Sequence, residues 1–518
     1  MLDWRAQLLD GGACHKHAAT GITGLFSCPS SRSSTLIMNT TPEQILDIEY
    51  ALVTHENPAR DEDTLDFQRC ARLHNYLVAY AYMARNNTNT PDLDALANET
   101  WFFHESNVDI DAIRARLDSS LNSFLDLVYD PCPGFFYWVN GLEMGLADEY
   151  IFDEDNDSED KERFVVIYGT VSELGSHCLG VLYDQLNHRA SFPLTIENVD
   201  SVVPVAEHWD MWFPLETILT NWIHMLRMGK ITADSRKGTG DLSDEDANSR
   251  SQIGLWSWHP YCAAQIDSTV AAMDRYTDAI ESRMQSPSPI SRDTPFFTDA
   301  ELDAALVPQK CFIRSCLTRA RAPRFKLIAP GLEVPHDKDA FAARQMFNAE
   351  GQDGVVPSFL LFASADDSRT VRFNEEIRCL FFRARTRSDV SCKEGDPVPT
   401  GIYSEPVDRG AYDSEETGFR LLLPFALRAD IPDADGARRS DGSLVPSGSY
   451  TQLFQHGIFH PFGGEHRPQR LERLFDRWTE LVESGVWRVG ENGVEGGIDV
   501  FRDADRGAWK DYWIPPSW

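Results

Sequence analysis

Four carboxylates lie within eleven residues of the stretch ASADDSRTVRFNEEIR, at positions 363–378. Asp366 and Asp367 form one pair and Glu375 and Glu376 form the other, at the ends of short apolar runs. Carboxylates grouped in this way could hold a cationic substrate or accept a proton from an amine during acyl transfer. The first pair could instead cap a turn, as Asp residues often do. We take these four residues as candidate catalytic side chains.

A basic stretch stands out in a chain whose formal net charge is −33. It contains six positively charged residues and no acidic one: Lys310, Arg314, Arg319, Arg321, Arg324 and Lys326. These cations could neutralise several phosphates, and Phe325 could stack on a base or a sugar. The pattern predicts a tRNA-binding surface. The alternative is that the arginines pair with some of the many carboxylates of the chain itself.

A histidine-rich stretch, LFQHGIFHPFGGEH at 453–466, places His456, His460, Glu465 and His466 close together in sequence. Imidazoles and a carboxylate could in principle hold a divalent metal with one open position. The spacing matches no zinc-protease motif, however, and Gly457 is one of several helix-breaking residues between the potential ligands. We therefore predict turn and surface histidines here, and no metal site.

Signatures of cofactor chemistry are absent from the sequence. It contains no P-loop, no G-x-G-x-x-G coupled to a strand and no G-x-S-x-G nucleophile elbow. The ten cysteines form no C-x-x-C pair, which favours a reduced compartment over a thiolate metal site. No cofactor is predicted.

Composition limits the class of protein and its partners. With 518 residues, 42% of them hydrophobic, the chain has enough apolar material for a folded core. The acidic balance disfavours general binding to nucleic acid or anionic membranes, so neither DNA nor a membrane is an expected partner. No run of 18 apolar residues occurs and no secretory signal opens the chain, which predicts a soluble, cytoplasmic protein.

Helical signals dominate the front of the chain. The stretch from Thr41 to Gln44 has the form of a capping box, and apolar residues between 108 and 128 lie largely on one helical face. A further helix is predicted from Glu207 to Met228, ending at Gly229. Between these helices, RFVVIYGTV and CLGVLYDQL are typical of a β-hairpin.

Strand-like patterns become frequent in the second half. The runs VVPSFLLFAS, EEIRCLFFRAR and GFRLLLPFALR have the length and composition of buried strands. Helices are predicted at 261–284 and in RPQRLERLFDRWTELVESG at 467–485. The sequence thus predicts an α+β fold, with a helical N-terminal part and a mixed sheet with flanking helices in the C-terminal part. The expected units are a disordered arm (1–40), a mainly helical domain with a β-hairpin (41–231), a linker loop (232–252) and an α+β domain (253–518).

Four segments resemble those of a large group of filamentous-fungal proteins, which we associate with the arginine-containing cyclodipeptide synthases. They are WFPLETILTNWIHMLRMGK, FRLLLPFALR, LFQHGIFHPFGGEHRPQRLERLFDRWTELVESGVW and WKDYWIPPSW. The resemblance covers residues 40–518 and implies an acyltransferase that takes aminoacyl groups from arginyl-tRNA and a second aminoacyl-tRNA. Such an enzyme joins them into a diketopiperazine in secondary metabolism, without ATP. The family's D-D-x-x-E signature is matched by Asp366 and Asp367, but Thr370 occupies the place of the Glu.

Two other functions stay open at this point. The many Trp residues and acidic loops could serve a partner surface of a non-catalytic protein-interaction protein. His456, His460 and Glu465 could alternatively serve a metal-dependent hydrolase. The acyltransferase prediction, and with it the prediction that the chain is an enzyme, depends on the resemblance.

Overall fold

A computed structural model describes most of one compact unit, Thr40–Trp518. The described residues are 41–60, 63–99, 110–129, 134–142, 163–171, 180–192, 211–233, 251–285, 294–348, 354–381, 392–428, 432–457, 460–464 and 467–518. The predicted arm at 1–40 and most of the predicted linker at 232–252 lie outside these ranges, so both stay predictions. Within the ranges, no helix is long and apolar enough to cross a lipid bilayer.

Helices and strands both occur throughout the unit, which makes the fold α+β as predicted. The α-helices of the described residues are α1 (Pro42–Leu46), α2 (Phe67–Asn86), α3 (Leu93–Glu99), α4 (Ile110–Arg116), α5 (Ser119–Leu125), α6 (Leu215–Arg227), α7 (Ala263–Glu281), α8 (Asp299–Ala304), α9 (Phe312–Arg319), α10 (Lys338–Ala343), α11 (Glu375–Phe381) and α12 (Leu471–Glu483). Short 3-10 helices occupy Glu49–Ala51, Ile498–Asp505 and Trp509–Tyr512.

The strands form several small sheets. They are β1 (Val139–Leu142), β2 (Phe164–Thr170), β3 (Gly180–Asp184), β4 (Arg189–Ser191), β5 (Ile231–Ala233), β6 (Ser251–Ile253), β7 (Trp256–Trp258), β8 (Leu327–Ala329), β9 (Leu332–Glu333), β10 (Val355–Val356), β11 (Leu360–Ala363), β12 (Thr370–Arg372), β13 (Pro397–Pro399), β14 (Gly401–Ser404), β15 (Val407–Asp408), β16 (Phe419–Leu422), β17 (Val489–Gly490) and β18 (Gly493–Val494). Their orders are β1-β2-β3-β4, β5-β7-β6, β11-β14-β16, β17-β18-β8-β9, β10-β15 and β12-β13. The β18–β8 pair is parallel and the other pairs are antiparallel.

Several local predictions are confirmed. The capping box is present, with Thr41 Oγ1 accepting from the backbone N–H of Gln44. The predicted hairpin is the antiparallel pair β2–β3. Helices α6 and α12 are followed by Gly229 and Gly485 at φ values of +78° and +79°, a left-handed conformation that glycine adopts most readily.

Two local predictions are wrong. The described part of the predicted helical stretch 108–128 contains two helices, α4 and α5, because Asp118 caps the second one by accepting from the N–H groups of Ser120 and Leu121. The run EEIRCLF forms helix α11, whereas a strand was predicted. Asn374 accepts from the N–H of Ile377 at the start of α11, and Ile377 and Phe381 lie on one buried face.

The apolar core falls into two large clusters and one small one. The first combines residues between Ile45 and Trp258 with Phe462 and Trp518, and the second extends from Ile266 to Ile514. The small cluster packs the buried face of α11, where the ring of Phe381 stacks on that of Phe347 with a centroid distance of 4.9 Å. This packing fixes α11, which carries two of the candidate carboxylates, Glu375 and Glu376.

Candidate functional site

A cavity of about 820 Å³ lies where helix α11, strand β16 and the loops between 439 and 468 meet. Its size is in the range of small-molecule sites, ~300–1,000 Å³. We call it the His456 cavity. It is lined by Glu376, Cys379, Leu380, Glu405, Arg420, Arg439, Pro446, Ser447, Gly448, Ser449, Gln452, Gln455, His456, Gly457, His460, Arg467 and Pro468. The lining mixes charged and polar side chains with apolar surface, which suits a small ligand that carries polar groups.

His456 is the buried imidazole of the cavity, so the prediction of surface histidines is wrong for this residue. Its side chain is only 2% exposed, and burial lowers its pKa to about 4, so the ring is neutral at pH 7. Nε2 lies 2.6 Å from the carbonyl oxygen of Ser517. Nδ1 is buried and has no hydrogen-bond partner among the described residues. A neutral imidazole with one nitrogen engaged has a lone pair or a proton left on the other, so Nδ1 is the nitrogen of this ring that could exchange a proton with a ligand.

The backbone around His456 is fixed by a close contact. Gly457 has φ +105°, and a Cβ at this position would lie 2.1 Å from the carboxylate of Asp441. The N–H of Asp441 in turn donates to the carbonyl of His456 at 3.0 Å. Asp441 is fully buried, and its carboxylate accepts from the N–H of Ser443. Only glycine fits at position 457, because any side chain there would displace this carboxylate.

Two of the arginines in the cavity wall are paired with buried carboxylates. Arg420 Nε lies 2.7 Å from Glu405, and Arg467 NH2 lies 3.1 Å from Asp413. The guanidinium of Arg467 also lies 4.5 Å from the ring centroid of Trp258. These two cations are therefore balanced within the protein, and their pairs hold the wall in place.

Arg439 is the third arginine of the wall, and no carboxylate of the described residues forms an ion pair with it. Its Nε donates to Ser443 Oγ at 2.9 Å. Burial lowers its pKa, an effect that the nearby carboxylate of Asp441 opposes. The guanidinium stays charged at neutral pH because the ordinary pKa of Arg is so high. Arg439 thus gives the cavity a positive charge that a negative group could approach.

Of the four carboxylates predicted to be catalytic, the structure brings only Glu376 into the wall of the His456 cavity. Glu376 is an exposed residue, but partial burial of its carboxylate raises its pKa. Glu375, its neighbour on α11, is also exposed and pairs with Arg378 at 2.8 Å. A cationic ligand would stabilise the ionised form of a carboxylate whose pKa is raised by burial.

The aspartate pair lies elsewhere, in the exposed turn before β12. Asp366 accepts from the N–H of Ser368 at 3.0 Å and from its hydroxyl at 2.6 Å. These hydrogen bonds lower the pKa of Asp366. Asp367 is 81% exposed and pairs with Arg344 at 3.0 Å. The contacts of Asp366 are those of a turn cap, and a catalytic role for the pair stays a prediction.

Arg314, the first arginine of the basic stretch, is buried inside the protein. It is 3% exposed and lies 2.9 Å from Asp299 and 2.6 Å from Asp303. Its guanidinium also donates to the backbone carbonyls of Val307 and Pro308. With all these contacts, Arg314 ties α9 to α8 and is not exposed for a ligand.

The next three arginines of the stretch face helix α7. Arg319, Arg321 and Arg324 form ion pairs with carboxylates of one face of that helix: Asp267, Asp274, Asp278 and Glu281. The arginines of the basic stretch therefore pair with carboxylates of the chain itself, as the alternative to tRNA binding predicted. Lys310 and Lys326 are exposed at the two ends. tRNA binding by the stretch stays a prediction.

The metal-hydrolase alternative receives no support from the described residues. The rings of His456 and His460 are stacked with centroids 5.3 Å apart and planes 11° from parallel. Glu465 and His466 lie outside the described residues. Within the described ranges, no three His, Cys, Asp or Glu side chains are placed to hold a metal ion.

Sequence reasoning missed several groups of the site, namely Arg439, Glu405 and the backbone of Ser517. They are far apart in sequence and carry no local motif, so the sequence offered no signal for them. Comparison of the chain with protein-family models, with curated proteins and with solved structures found no match. The geometry of the cavity and the chemistry of its lining therefore carry the functional argument.

Proposed function

We propose that this chain is a tRNA-dependent cyclodipeptide synthase whose reaction takes place in the His456 cavity. The observation that carries the proposal is the presence, in one cavity, of a proton acceptor, a carboxylate and a guanidinium that forms no ion pair among the described residues. These groups are Nδ1 of His456, the side chain of Glu376 and the guanidinium of Arg439. Formation of a diketopiperazine from activated esters needs a proton acceptor and binding groups, and needs neither a nucleotide nor a metal.

The segments on which the family resemblance rests support this location. FRLLLPFALR supplies Arg420, and LFQHGIFHPFGGEHRPQR supplies the lining from Gln455 to Pro468. The backbone of Ser517 in WKDYWIPPSW contacts His456. The fourth segment contains Trp222, whose indole N–H donates to the carbonyl of Phe462 at 3.0 Å. Each of the four segments thus either lines the cavity or contacts the stretch from Gln455 to Pro468, which lines it.

The chemistry would proceed by two aminolysis steps. The α-amine of one aminoacyl group attacks the ester carbonyl of the other, an amide bond forms, and the ester C–O bond breaks. The amine proton passes to Nδ1 of His456 and then to the departing 3′ oxygen of the tRNA. A second attack, by the free amine of the dipeptide on its own ester, closes the ring and releases the second tRNA.

Substrate selection would use the charged groups of the wall. In our proposal, Glu376 holds the guanidinium of the arginyl group, since its carboxylate lines the cavity and a cation there would offset the partial burial that raises its pKa. Arg439 stabilises the negative charge that develops on the ester oxygen, or lies against the terminal phosphate of the tRNA. The basic stretch from Lys310 to Lys326 remains the predicted contact for the body of the tRNA, and exposed lysines lie at its two ends.

The test is to express the chain in a heterologous host and to search extracts for a new arginine-containing cyclic dipeptide by mass spectrometry. Purified protein is then supplied with arginyl-tRNA and mixed aminoacyl-tRNAs. The variant His456→Gln should reduce the yield by about 10²-fold or more, because Gln can still donate to the Ser517 carbonyl but cannot accept the proton. Absence of any arginine-containing product from soluble parent protein would refute the proposal.

The four predicted carboxylates are scored in the same assay, each with its thermal midpoint. Glu376→Gln should lower the yield by about 10²-fold, whereas Glu375→Gln, on the same helix, is the matched control and should leave it near the parent value. Asp366→Asn should preserve the turn, since Asn caps nearly as well as Asp. A large loss of yield from Asp366→Asn or Asp367→Asn would move the reaction from the His456 cavity to the D-D-x-x-E position.

No specific observation favours a non-catalytic interaction protein. The large hydrophobic side chains that are exposed among the described residues belong to five separate segments: Tyr50, Leu186, Leu306, Tyr412 and Val486. Single exposed apolar residues are normal on a protein surface and mark no docking site.

A further inference from the structure

The segment 513–518 lies against the site at several points, although it supplies no side chain to the cavity wall. The indole N–H of Trp513 donates to the carbonyl of Arg439 at 3.0 Å, and Arg473 donates to the carbonyl of Pro515 at 3.0 Å. The ring of Trp518 lies under the guanidinium of Arg470, at 4.1 Å from its centroid. Ser517, between these anchors, brings its backbone to the imidazole of His456.

The backbone of Ser517 offers two groups to the same nitrogen, Nε2 of His456. The carbonyl oxygen lies at 2.6 Å and the amide nitrogen at 3.2 Å. Nε2 cannot donate to one and accept from the other at the same time. A lone pair on Nε2 at 2.6 Å from a carbonyl oxygen would be repelled, so the shorter contact assigns the proton to Nε2. Nδ1 then carries the lone pair.

The chain holds this carbonyl in a restricted position. Pro515 and Pro516 precede Ser517, and each proline ring fixes its own φ near −65°. Trp518, which follows, is 8% exposed and belongs to the first apolar cluster. The hydroxyl of Ser517 is buried without a hydrogen-bond partner among the described residues, so the contact to His456 is made by the main chain alone.

We infer that Ser517 is a positioning residue, whose main-chain carbonyl keeps His456 in the Nε2-protonated tautomer and leaves Nδ1 as the proton acceptor of the cavity. The inference rests on the proposed function for its catalytic consequence, but the tautomer itself is a property of the protein alone. An imidazole in the other tautomer would carry a proton on Nδ1 and could not accept one there. The main-chain carbonyl of Ser517 therefore determines which ring nitrogen of His456 carries the lone pair that could accept a proton.

The first measurement uses the unmodified chain with ¹³C- and ¹⁵N-labelled histidine. Ring chemical shifts distinguish the two tautomers, and the signals that disappear in His456→Gln identify His456. The Nε2–H tautomer is expected. The Nδ1–H tautomer in the folded parent protein would overturn the inference, whether or not the protein makes a cyclic dipeptide.

The second measurement removes Ser517 and Trp518 by a stop after Pro516. The shifts of His456 should move toward a mixture of tautomers, and the yield of product should fall by about 10²-fold or more. Trp518→Ala keeps the Ser517 carbonyl and controls for loss of the Trp518 ring. A shortened protein that retains both the Nε2–H signature and the parent yield would overturn the inference.

Ser517→Ala keeps the inference testable if the shortened chain does not fold. Alanine alters only the side chain and retains the main-chain carbonyl that lies 2.6 Å from Nε2. This variant should keep the Nε2–H tautomer. A shift to the Nδ1–H tautomer in Ser517→Ala would show that the main-chain carbonyl does not set the tautomer. If the parent shows the expected tautomer but yields no cyclic dipeptide, the proposed function fails and the positioning contact stands.

Discussion

The ion pair between Lys230 and Glu415 should be one of the most sensitive points of the fold. Lys230 Nζ lies 2.6 Å from Glu415, and the two side chains are 0% and 4% exposed. Burial would raise the pKa of Glu415, but the charge of Lys230 and the hydrogen bonds of Glu415 outweigh it and lower the pKa overall. The pair lies between the two apolar clusters, since Lys230 precedes β5 and Glu415 accepts from Gln265 of α7.

Removing one partner leaves the other charge buried without compensation. For Lys230→Met, the carboxylate of Glu415 would keep its hydrogen bonds from Gln265 and Thr417 but would lose its cation. Breaking a buried pair in this way costs about 3–5 kcal/mol of folding free energy. The double variant Lys230→Met/Glu415→Gln should lose less than the sum of the single variants by about 1–3 kcal/mol, because no isolated charge remains.

The assay is urea denaturation followed by tryptophan fluorescence, which gives the free energy of unfolding of each variant. The control is Asp476→Asn, which removes an exposed pair with Arg275 at a similar distance of 2.6 Å. The side chains of that pair are 56% and 41% exposed, so the change should stay below about 1 kcal/mol. If Lys230→Met lowered the free energy of unfolding by less than about 1 kcal/mol, as the control variant should, the conclusion that this pair is buried and coupled would be refuted.

Three further predictions concern the core, the cavity backbone and pH. Trp478→Ala should cost about 3–5 kcal/mol of folding free energy, because the ring is 0% exposed; an unchanged thermal midpoint would show that it is not packed. Gly457→Ala should lower the thermal midpoint more than Gly448→Ala. Both glycines have positive φ, but only a Cβ at position 457 would meet the Asp441 carboxylate. Equal shifts of the midpoint in the two variants would contradict this. Burial lowers the pKa of His74 from 6.5 to about 4. Between these two pH values the unfolded chain binds a proton at His74 and the folded chain does not, so the free energy of unfolding should fall by about 3 kcal/mol as the pH drops from above 6.5 to about 4. His74→Gln should remove that share of the pH dependence of the unfolding free energy, and an unchanged slope would contradict the assignment.

The sequence by itself determined the elements whose signals are local. The capping box at Thr41 and the glycines after α6 and α12 act through contacts within one turn, so the residue types alone specify them. The β2–β3 hairpin is specified similarly, by apolar runs close enough in sequence to pair. The α+β class followed from these elements.

Tertiary structure decided what lies between distant parts of the chain. The run EEIRCLF has the length of a strand, yet it forms α11 because Asn374 caps it and its apolar face packs against Phe347. The arginines from Arg319 to Arg324 were correctly recognised as a cluster, but only the fold shows that they face the carboxylates of α7, about 50 residues earlier.

The candidate site is the clearest case of a feature that the sequence could not specify. Glu376 and His456 could be found from their residue types, but they are 80 positions apart and nothing local shows that they share a cavity. The contact of the Ser517 carbonyl with His456 was beyond any sequence pattern, because every residue has a carbonyl. Local hydrogen-bonding and apolar periodicity determine the elements, whereas the meeting of groups far apart in sequence is decided by the packing of the whole chain.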